Sequence, residues 1–231
     1  VSVRVNMAVS LDGRIALPSR KRFRLGGDED LARLTALRAW ADVVVVGAAT
    51  IRTEDPPFSL PAAEARKRAQ DGRSPHPAVA VVTASLDLGI GRVFTGPNHA
   101  IVAVPDPAPA PSPELDATAE IWRFPEARVA ADQLLGRLRS AGYERILVEG
   151  GGGTAAGFFA ADLVDELYLT LTPWFIGGDD APAICEAGGV LPGTGRFALA
   201  GIEKRAEEVF LLYRRRYLAE GAGGTDSVPD Q

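Results

Sequence analysis

Hydrophobic positions along the 231-residue chain change period several times, and each change marks a predicted element. Val1, Val3 and Val5 alternate with polar residues, so Val1 to Val9 reads as a strand, closed by the Asp-Gly turn of Ser10-Leu11-Asp12-Gly13-Arg14. From Asp28 to Ala41 the period becomes helical. Leu31, Leu34, Leu37 and either Trp40 or Ala41 share one face, and Asp28, Glu29 and Asp30 suit the positive N-terminal end. Val43 to Val46 is an unbroken apolar run ending at Gly47, the pattern of a strand buried on both faces. Val79 to Val82, Ala100 to Val104 and Ile146 to Val148 repeat it. Val129 to Ala141 is a helix with Leu134, Leu135 and Leu138 inward and Gly142 as its stop signal. Strand, helix and strand in this order give an α/β sheet.

After Ala161 the character shifts. Glu166 to Thr172, Phe197 to Ile202 and Glu208 to Tyr217 read as strands with short connections, so the sheet is expected to end antiparallel. Pro56 to Pro77 is a long loop with room for a short helix over Ala62 to Gln70, and Pro105 to Pro113 is a stiff surface linker. Residues 1–218 are therefore read as one domain, and the polar, Gly-rich stretch 219–231 as a disordered tail.

Composition narrows the field. With 46% hydrophobic and 24% charged residues the chain can build a sizeable core. No run approaches the roughly 18 apolar residues of a membrane span, and the start of the chain lacks the shape of a signal peptide, so the expected location is cytoplasmic with no membrane partner. A net charge of −5 argues against nucleic acid as a partner. A single cysteine, Cys185, excludes an internal disulfide and a multi-cysteine zinc site; His76 and His99 show no metal-ligand spacing, so no metal is expected.

Chemistry concentrates in three places. Glu149-Gly150-Gly151-Gly152-Gly153-Thr154 follows a strand and opens a helical stretch, Thr154 to Ala161. Glycines in that setting let backbone N–H groups approach an anion, commonly a pyrophosphate. Gly150-x-Gly152-x-x-Ala155 resembles a dinucleotide fingerprint, but it comes after most of the sheet and Asp165 is too near to be the usual ribose-binding acid. The phosphate site is therefore placed on a different fold. Around Asn6 to Ala16, a strand ends in small residues beside the polar groups of Asn6, Ser10 and Asp12, although Asp12-Gly13 also suits a plain surface hairpin. In Gly47 to Pro57 a buried strand runs into a small-residue turn and an acidic loop where α/β sheets place ligand contacts; a helix cap followed by a proline break is the alternative. No Gly-x-Ser-x-Gly elbow occurs.

Together these clusters resemble the riboflavin-biosynthesis pyrimidine reductases, the family of the C-terminal reductase domain of bacterial RibD and its stand-alone archaeal and fungal relatives. The resemblance rests on Asn6 to Ala16, Leu37-Arg38-Ala39-x-Ala41-Asp42, Gly47 to Pro56, Ile146 to Gly151, Asp165-Glu166-Leu167, Thr172-Pro173 and Gly177-Gly178, in the family's order over roughly residues 1–180. It implies a dihydrofolate-reductase-like mixed central sheet flanked by helices, NADPH as cofactor, a phosphorylated pyrimidine as substrate, and a homodimer. The implied reaction reduces the ribose of 5-amino-6-(5-phosphoribosylamino)uracil to the ribityl chain, by hydride transfer to C1′ of the ring-opened imine. Carried over residue by residue, Asn6, Ser10 and Asp12 fall at the catalytic turn. Ala8, Thr50, Glu54, Thr83, Ser85, Gly151, Gly152, Gly153, Thr154 and Gly157 fall at cofactor contacts, and Arg38, Phe58, Glu149 and Arg22 at substrate contacts, with Arg38 reaching the phosphate.

Departures from the family pattern accompany it. Asn6 stands where the bifunctional enzymes carry Lys, Pro61 where a second phosphate-binding Arg is expected, and Arg22 where a substrate-binding Ser is expected. Arg22, Arg24 or Arg66 could restore phosphate binding. The deaminase half of the bifunctional proteins is missing, since one cysteine cannot supply its zinc site. Two other readings stay open: a family member acting on another heterocycle, such as dihydrofolate or a secondary-metabolite intermediate, and a non-catalytic nucleotide-binding protein. Pairing of Phe210 to Tyr213 across a two-fold axis is the route considered for the dimer.

Overall fold

A computed structural model describes residues 1–19, 21–186 and 197–216. Its elements are β1 (Ser2–Val9), α1 (Asp28–Trp40), β2 (Val43–Gly47), α2 (Ala48–Glu54), α3 (Ala62–Gln70), β3 (Ala78–Val82), α4 (Arg92–Thr95), β4 (Ala100–Pro105), α5 (Pro113–Thr118), β5 (Glu120–Phe124), α6 (Ala131–Ser140), β6 (Arg145–Glu149), α7 (Gly152–Ala160), β7 (Glu166–Leu171), β8 (Phe197–Arg205) and β9 (Glu208–Arg215). The strands form one nine-stranded sheet in the order β5-β4-β3-β2-β6-β1-β7-β9-β8.

The apolar runs read from the sequence are its middle. Val43 to Val46 are fully buried because both faces of β2 are covered. On one face Val3, Val5, Val45 and Val148 pack with Leu134, Leu135 and Leu138 of α6 and Phe158 of α7. On the other, Val44, Val46, Val79 and Val81 pack with Leu37 of α1, Ile51 of α2 and Phe94 of α4. Gly142 takes φ +88°, the left-handed backbone that ends α6.

β1 to β7 pair in parallel, while β9 runs antiparallel to both β7 and β8, so the antiparallel end is as expected and the sheet is mixed. Two expectations need correction. Leu31 does not turn inward with Leu37 but is 49% exposed, because the N-terminal half of α1 overhangs a cleft rather than the sheet core. β9 has both edges hydrogen-bonded, so Phe210 to Tyr213 have no free edge for pairing with a second copy; among the described residues the edge strand at this end is β8. The proposed tail 219–231 lies outside the described residues. No described helix is long and apolar enough to cross a membrane.

Candidate functional site

Four parallel strands, β1, β6, β2 and β3, end on the same edge of the sheet, and a cleft of about 1010 Å³ opens there. Carboxyl ends of parallel strands collect ligand contacts because each strand delivers its chain into a loop or helix N-terminus at that edge. Asn6 and Ala8 of β1, Gly47 of β2, Thr83 and Ser85 beyond β3, and Glu149 of β6 all line it.

The glycine turn forms one wall, and its members have different tasks. Gly150 and Gly151 take φ +67° and +76°, where a side chain is strained. Gly152 begins α7 against the 183–186 segment; a Cβ there would lie 2.3 Å from the Ala183 carbonyl oxygen. Around Gly153 there is nothing within 4 Å of a Cβ position. Gly47 is small so that Thr154 can approach, since a Cβ would meet the Thr154 hydroxyl at 2.8 Å. The first N–H groups of α7 have no intrahelical acceptors, and its first turn carries no acidic residue. With Arg52, Arg92 and Arg128 also lining the cleft, the residues present fit an anionic dinucleotide.

Opposite that turn, the segment read as a small-residue turn and acidic loop is helix α2. Thr50 faces the turn, its hydroxyl 3.4 Å from the Cβ position of Gly150. Glu54 closes the helix within the cleft, where burial pushes its carboxyl pKa up against the opposing influence of Arg22. Asp55, in left-handed conformation, accepts a hydrogen bond from the backbone N–H of Arg92 at 2.6 Å and fixes α4 beside the cleft. Ser85 donates its backbone N–H to the Thr83 hydroxyl at 3.2 Å, a turn that presents both side chains at the end of β3.

The cleft floor holds a buried ion pair. Arg38 donates from Nε to Glu149 Oε1 at 2.8 Å and from Nη2 to Oε2 at 2.6 Å. Its Nη1 donates to the Pro57 carbonyl at 2.7 Å, and the guanidinium lies over the Phe58 ring at 4.7 Å. The Arg38 pKa is raised: burial acts against the charge, and the Glu149 carboxylate more than restores it. All three of its nitrogens hydrogen-bond within the protein, which fixes the Glu149 carboxylate at the cleft floor. Asn6 lies opposite Glu149 in the strand register, 7% exposed, and its Oδ1 has no hydrogen-bond partner.

Most expected positions converge. Asn6, Ala8, Thr50, Glu54, Thr83, Ser85, the turn from Gly151 through Thr154, Gly157, Arg38, Phe58, Glu149 and Arg22 line this one cleft. Ser10 and Asp12 do not. The Ser10 hydroxyl donates to Asp12 Oδ1 at 2.6 Å, and Asp12 accepts from the backbone N–H groups of Ile176 at 3.1 Å and Gly177 at 2.7 Å. That clasp ties the turn after β1 to the loop after β7. The Ser10 hydroxyl and these two N–H groups hold the Asp12 pKa down to about 2. Arg24 lines the cleft, whereas Arg66 and Pro61 do not; Pro61 caps α3.

Sequence reading singles out Arg92 only as the Arg near Ser85 able to meet a cofactor 2′-phosphate, and passes over Arg52 and Arg128, since an isolated surface Arg carries no pattern. It also gave Asp30 only a helix-end role, although Asp30 lines the cleft. Among the described residues no cluster of three or more His, Cys, Asp or Glu could hold a metal ion.

Comparison with known proteins agrees with this geometry. The profile of the RibD C-terminal domain matches residues 1–211. The chain is 38% identical over 185 residues to the 2,5-diamino-6-ribosylamino-4(3H)-pyrimidinone 5′-phosphate reductase of Archaeoglobus fulgidus, covering 79% of this chain and 84% of that protein. The protein of the same name from Methanothermobacter thermautotrophicus is 30% identical over 216 residues, covering 92% and 91%. Among solved structures, a pyrimidine reductase-like protein from Corynebacterium diphtheriae superposes with a TM-score of 0.78 at 23% identity, covering 94% of this chain and 92% of that one. The deaminase/5-amino-6-(5-phosphoribosylamino)uracil reductase of Thermotoga maritima gives 0.73 at 20% identity, covering 93% and 56%. The fold is thus the dihydrofolate-reductase-like sheet of these reductase domains.

Proposed function

Because this chain belongs to the RibD C-terminal domain family, we propose that it is an NADPH-dependent reductase of riboflavin biosynthesis, acting on the ribose of a 5-amino-6-ribosylaminopyrimidine 5′-phosphate. The observation that carries this reading is the convergence of a glycine turn at a helix N-terminus with a buried Glu149–Arg38 pair and Asn6 in one cleft. When bound, the cofactor supplies a hydride. The substrate's ring-opened imine accepts that hydride at C1′ and a proton at nitrogen, so C=N becomes CH–NH.

The chain's own part is alignment of two ligands. N–H groups at the start of α7 hold a pyrophosphate, while Thr50, Glu54, Thr83 and Ser85 line the path for the rest of the cofactor. Glu149, fixed by Arg38, and Asn6 orient the substrate from the floor. With Arg38 engaged and Pro61 outside the cleft, Arg22 is the side chain we assign to the substrate phosphate. Ser10 and Asp12 act through their clasp on the loop after β7.

Loss of NADPH absorbance on mixing the purified protein with the substrate tests the reading. Turnover is expected, and Arg22→Ala should raise KM far more for the phosphorylated than for the dephosphorylated compound. Tight NADPH binding without turnover of any ribosylaminopyrimidine phosphate would refute it and direct attention to dihydrofolate and other unphosphorylated rings.

A cytoplasmic enzyme and a homodimer complete the proposal. For the dimer we favour β8. Among the described residues it is the edge strand at the antiparallel end, and Leu199 and Ile202, paired with Tyr213 and Leu211, are 53% and 68% exposed. Ile202→Lys should shift the sedimentation coefficient to that of a monomer.

A further inference from the structure

Two pyrimidine rings are compatible with the proposed reaction, and they differ in the exocyclic group at C2 and in the proton on the adjoining N1. The curated relatives are named for a 2,5-diamino-pyrimidinone, whereas the Thermotoga maritima protein is named for a uracil. The first carries an amino group at C2, a hydrogen-bond donor. The second carries a carbonyl oxygen there, an acceptor.

One corner of the cleft discriminates between these by its chemistry. Asp28, Glu29 and Asp30 all occupy the first turn of α1, where any carboxylate favours the helix end. Asp28 and Glu29 do so from solvent. Asp30 is turned inward, lines the cleft, and has a buried Oδ1 that accepts no hydrogen bond. Gly26 makes room for it, since a Cβ there would lie 2.2 Å from Asp30 Oδ2. Burial raises the pKa of this carboxyl, and the neighbouring Thr170 hydroxyl acts the other way without meeting hydrogen-bond geometry. The charges of Arg33 and Arg24 favour the carboxylate, but their hydrogen bonds go elsewhere. Arg33 donates to the Leu169 and Leu211 carbonyls, and Arg24 to the Gly27 carbonyl and Asp28.

Asn6 belongs to the same corner. In the β1–β7 register Asn6 pairs with Tyr168 and Ala8 with Thr170, so Asn6 and Thr170 share one sheet face a single pleat apart. The buried Asn6 Oδ1 is also without a partner. An amide can present either oxygen or nitrogen, but an ionised carboxylate can only accept. A buried acceptor left unpaired is costly, and a ligand donor removes that cost.

We infer that Asp30 is a specificity-determining residue that, with Asn6, selects a ring bearing an exocyclic amino group over one bearing a carbonyl at the same position. The inference rests on the reductase reading above and deepens it. A carbonyl oxygen set against the Asp30 carboxylate would leave two acceptors facing each other, whereas an amino group satisfies one of them.

The test compares 2,5-diamino-6-ribosylamino-4(3H)-pyrimidinone 5′-phosphate with 5-amino-6-ribosylaminouracil 5′-phosphate, by kcat/KM and by equilibrium binding to the NADPH-saturated protein. The wild type should favour the amino ring by about ten- to hundredfold. Asp30→Asn and Asp30→Ala should each remove most of that preference, chiefly through the amino ring's KM. Glu29→Gln, a first-turn carboxylate on the solvent side, should leave the preference unchanged. Equal loss on both rings in the Asp30 variants would show a structural role for the first turn and overturn the inference, as would a wild-type preference for the uracil. Should neither ring turn over while binding still discriminates through Asp30, the reductase reading falls and the recognition stands.

Discussion

Replacing Arg38 by Met tests whether the floor of the cleft is held by a buried ion pair. The methionine keeps most of the stem packing above Phe58 but removes the three hydrogen bonds to Glu149 and the Pro57 carbonyl. The two charged side chains are only 11% and 10% exposed, so water from the cleft replaces the missing partner poorly. Leaving a buried carboxylate unpaired costs about 3–5 kcal/mol, far above the roughly 0–1 kcal/mol of an exposed pair. For a chain of this length each kcal/mol lowers Tm by about 2–4 °C, giving a fall of roughly 6–20 °C. Urea unfolding of Arg38→Met, Glu149→Met and the double variant completes a mutant cycle. The double variant should recover to within about 2 kcal/mol of wild type, because a well-packed apolar pair replaces a buried ionic one at small cost. A loss under about 1 kcal/mol in Arg38→Met, or strict additivity in the double variant, would refute the argument that the pair is dry and coupled.

Other predictions address the glycine turn and two carboxyl groups. Gly153→Ala should fold with a Tm at or above wild type, since alanine is the better helix former and its Cβ meets nothing, yet bind NADPH more weakly because that Cβ enters the cleft. Gly152→Ala should instead lower Tm by several degrees, because backbone at Ala183 blocks the Cβ; differential scanning calorimetry separates the two. Asp12 has a folded pKa of about 2 against an ordinary value of 3.8, so the clasp is complete above the ordinary value and is lost as pH falls toward the folded one. Hydrogen-exchange protection at Ile176 and Gly177, relative to the intrinsic rate at each pH, should fall across that window in the wild type and be low throughout in Asp12→Asn. The folded pKa of Glu54 is raised from 4.5 by burial, so its contribution is full below that value and lost as pH rises through the folded one. Glu54→Gln should therefore become the more stable protein as pH rises toward neutrality, and parallel stability curves for the two proteins would contradict this.

Much of the architecture was legible in the chain. Val43 to Val46 could only be a strand covered on both faces, and Leu134, Leu135 and Leu138 could only be one helical stripe. Short elements were less visible. β5, five residues ending in Trp122-Arg123-Phe124, sits at the sheet edge, and α2 has seven residues led by two alanines; neither is long enough to establish a period. The glycine turn was legible as a close backbone approach, and the structure puts it in the cleft wall. Its division of labour was not, since only neighbouring atoms distinguish the crowded Gly152 from the open Gly153.

By itself, then, the sequence determined the α/β sheet, the antiparallel end, the glycine-rich turn and the family resemblance, because these depend on local period and residue type. Tertiary structure alone decided which polar groups remain available. Arg38 and Glu149 are 111 residues apart in the chain, and only the fold engages the one guanidinium with the other's carboxylate. Likewise Asp12 is drawn out of the cleft by N–H groups 164 and 165 residues away. Asp30, which reads locally as one more helix-end acid, becomes an unpartnered acceptor facing the ligand space. Hydrogen-bond capacity is saturated or left open by partners distant in sequence, and no local pattern encodes that outcome.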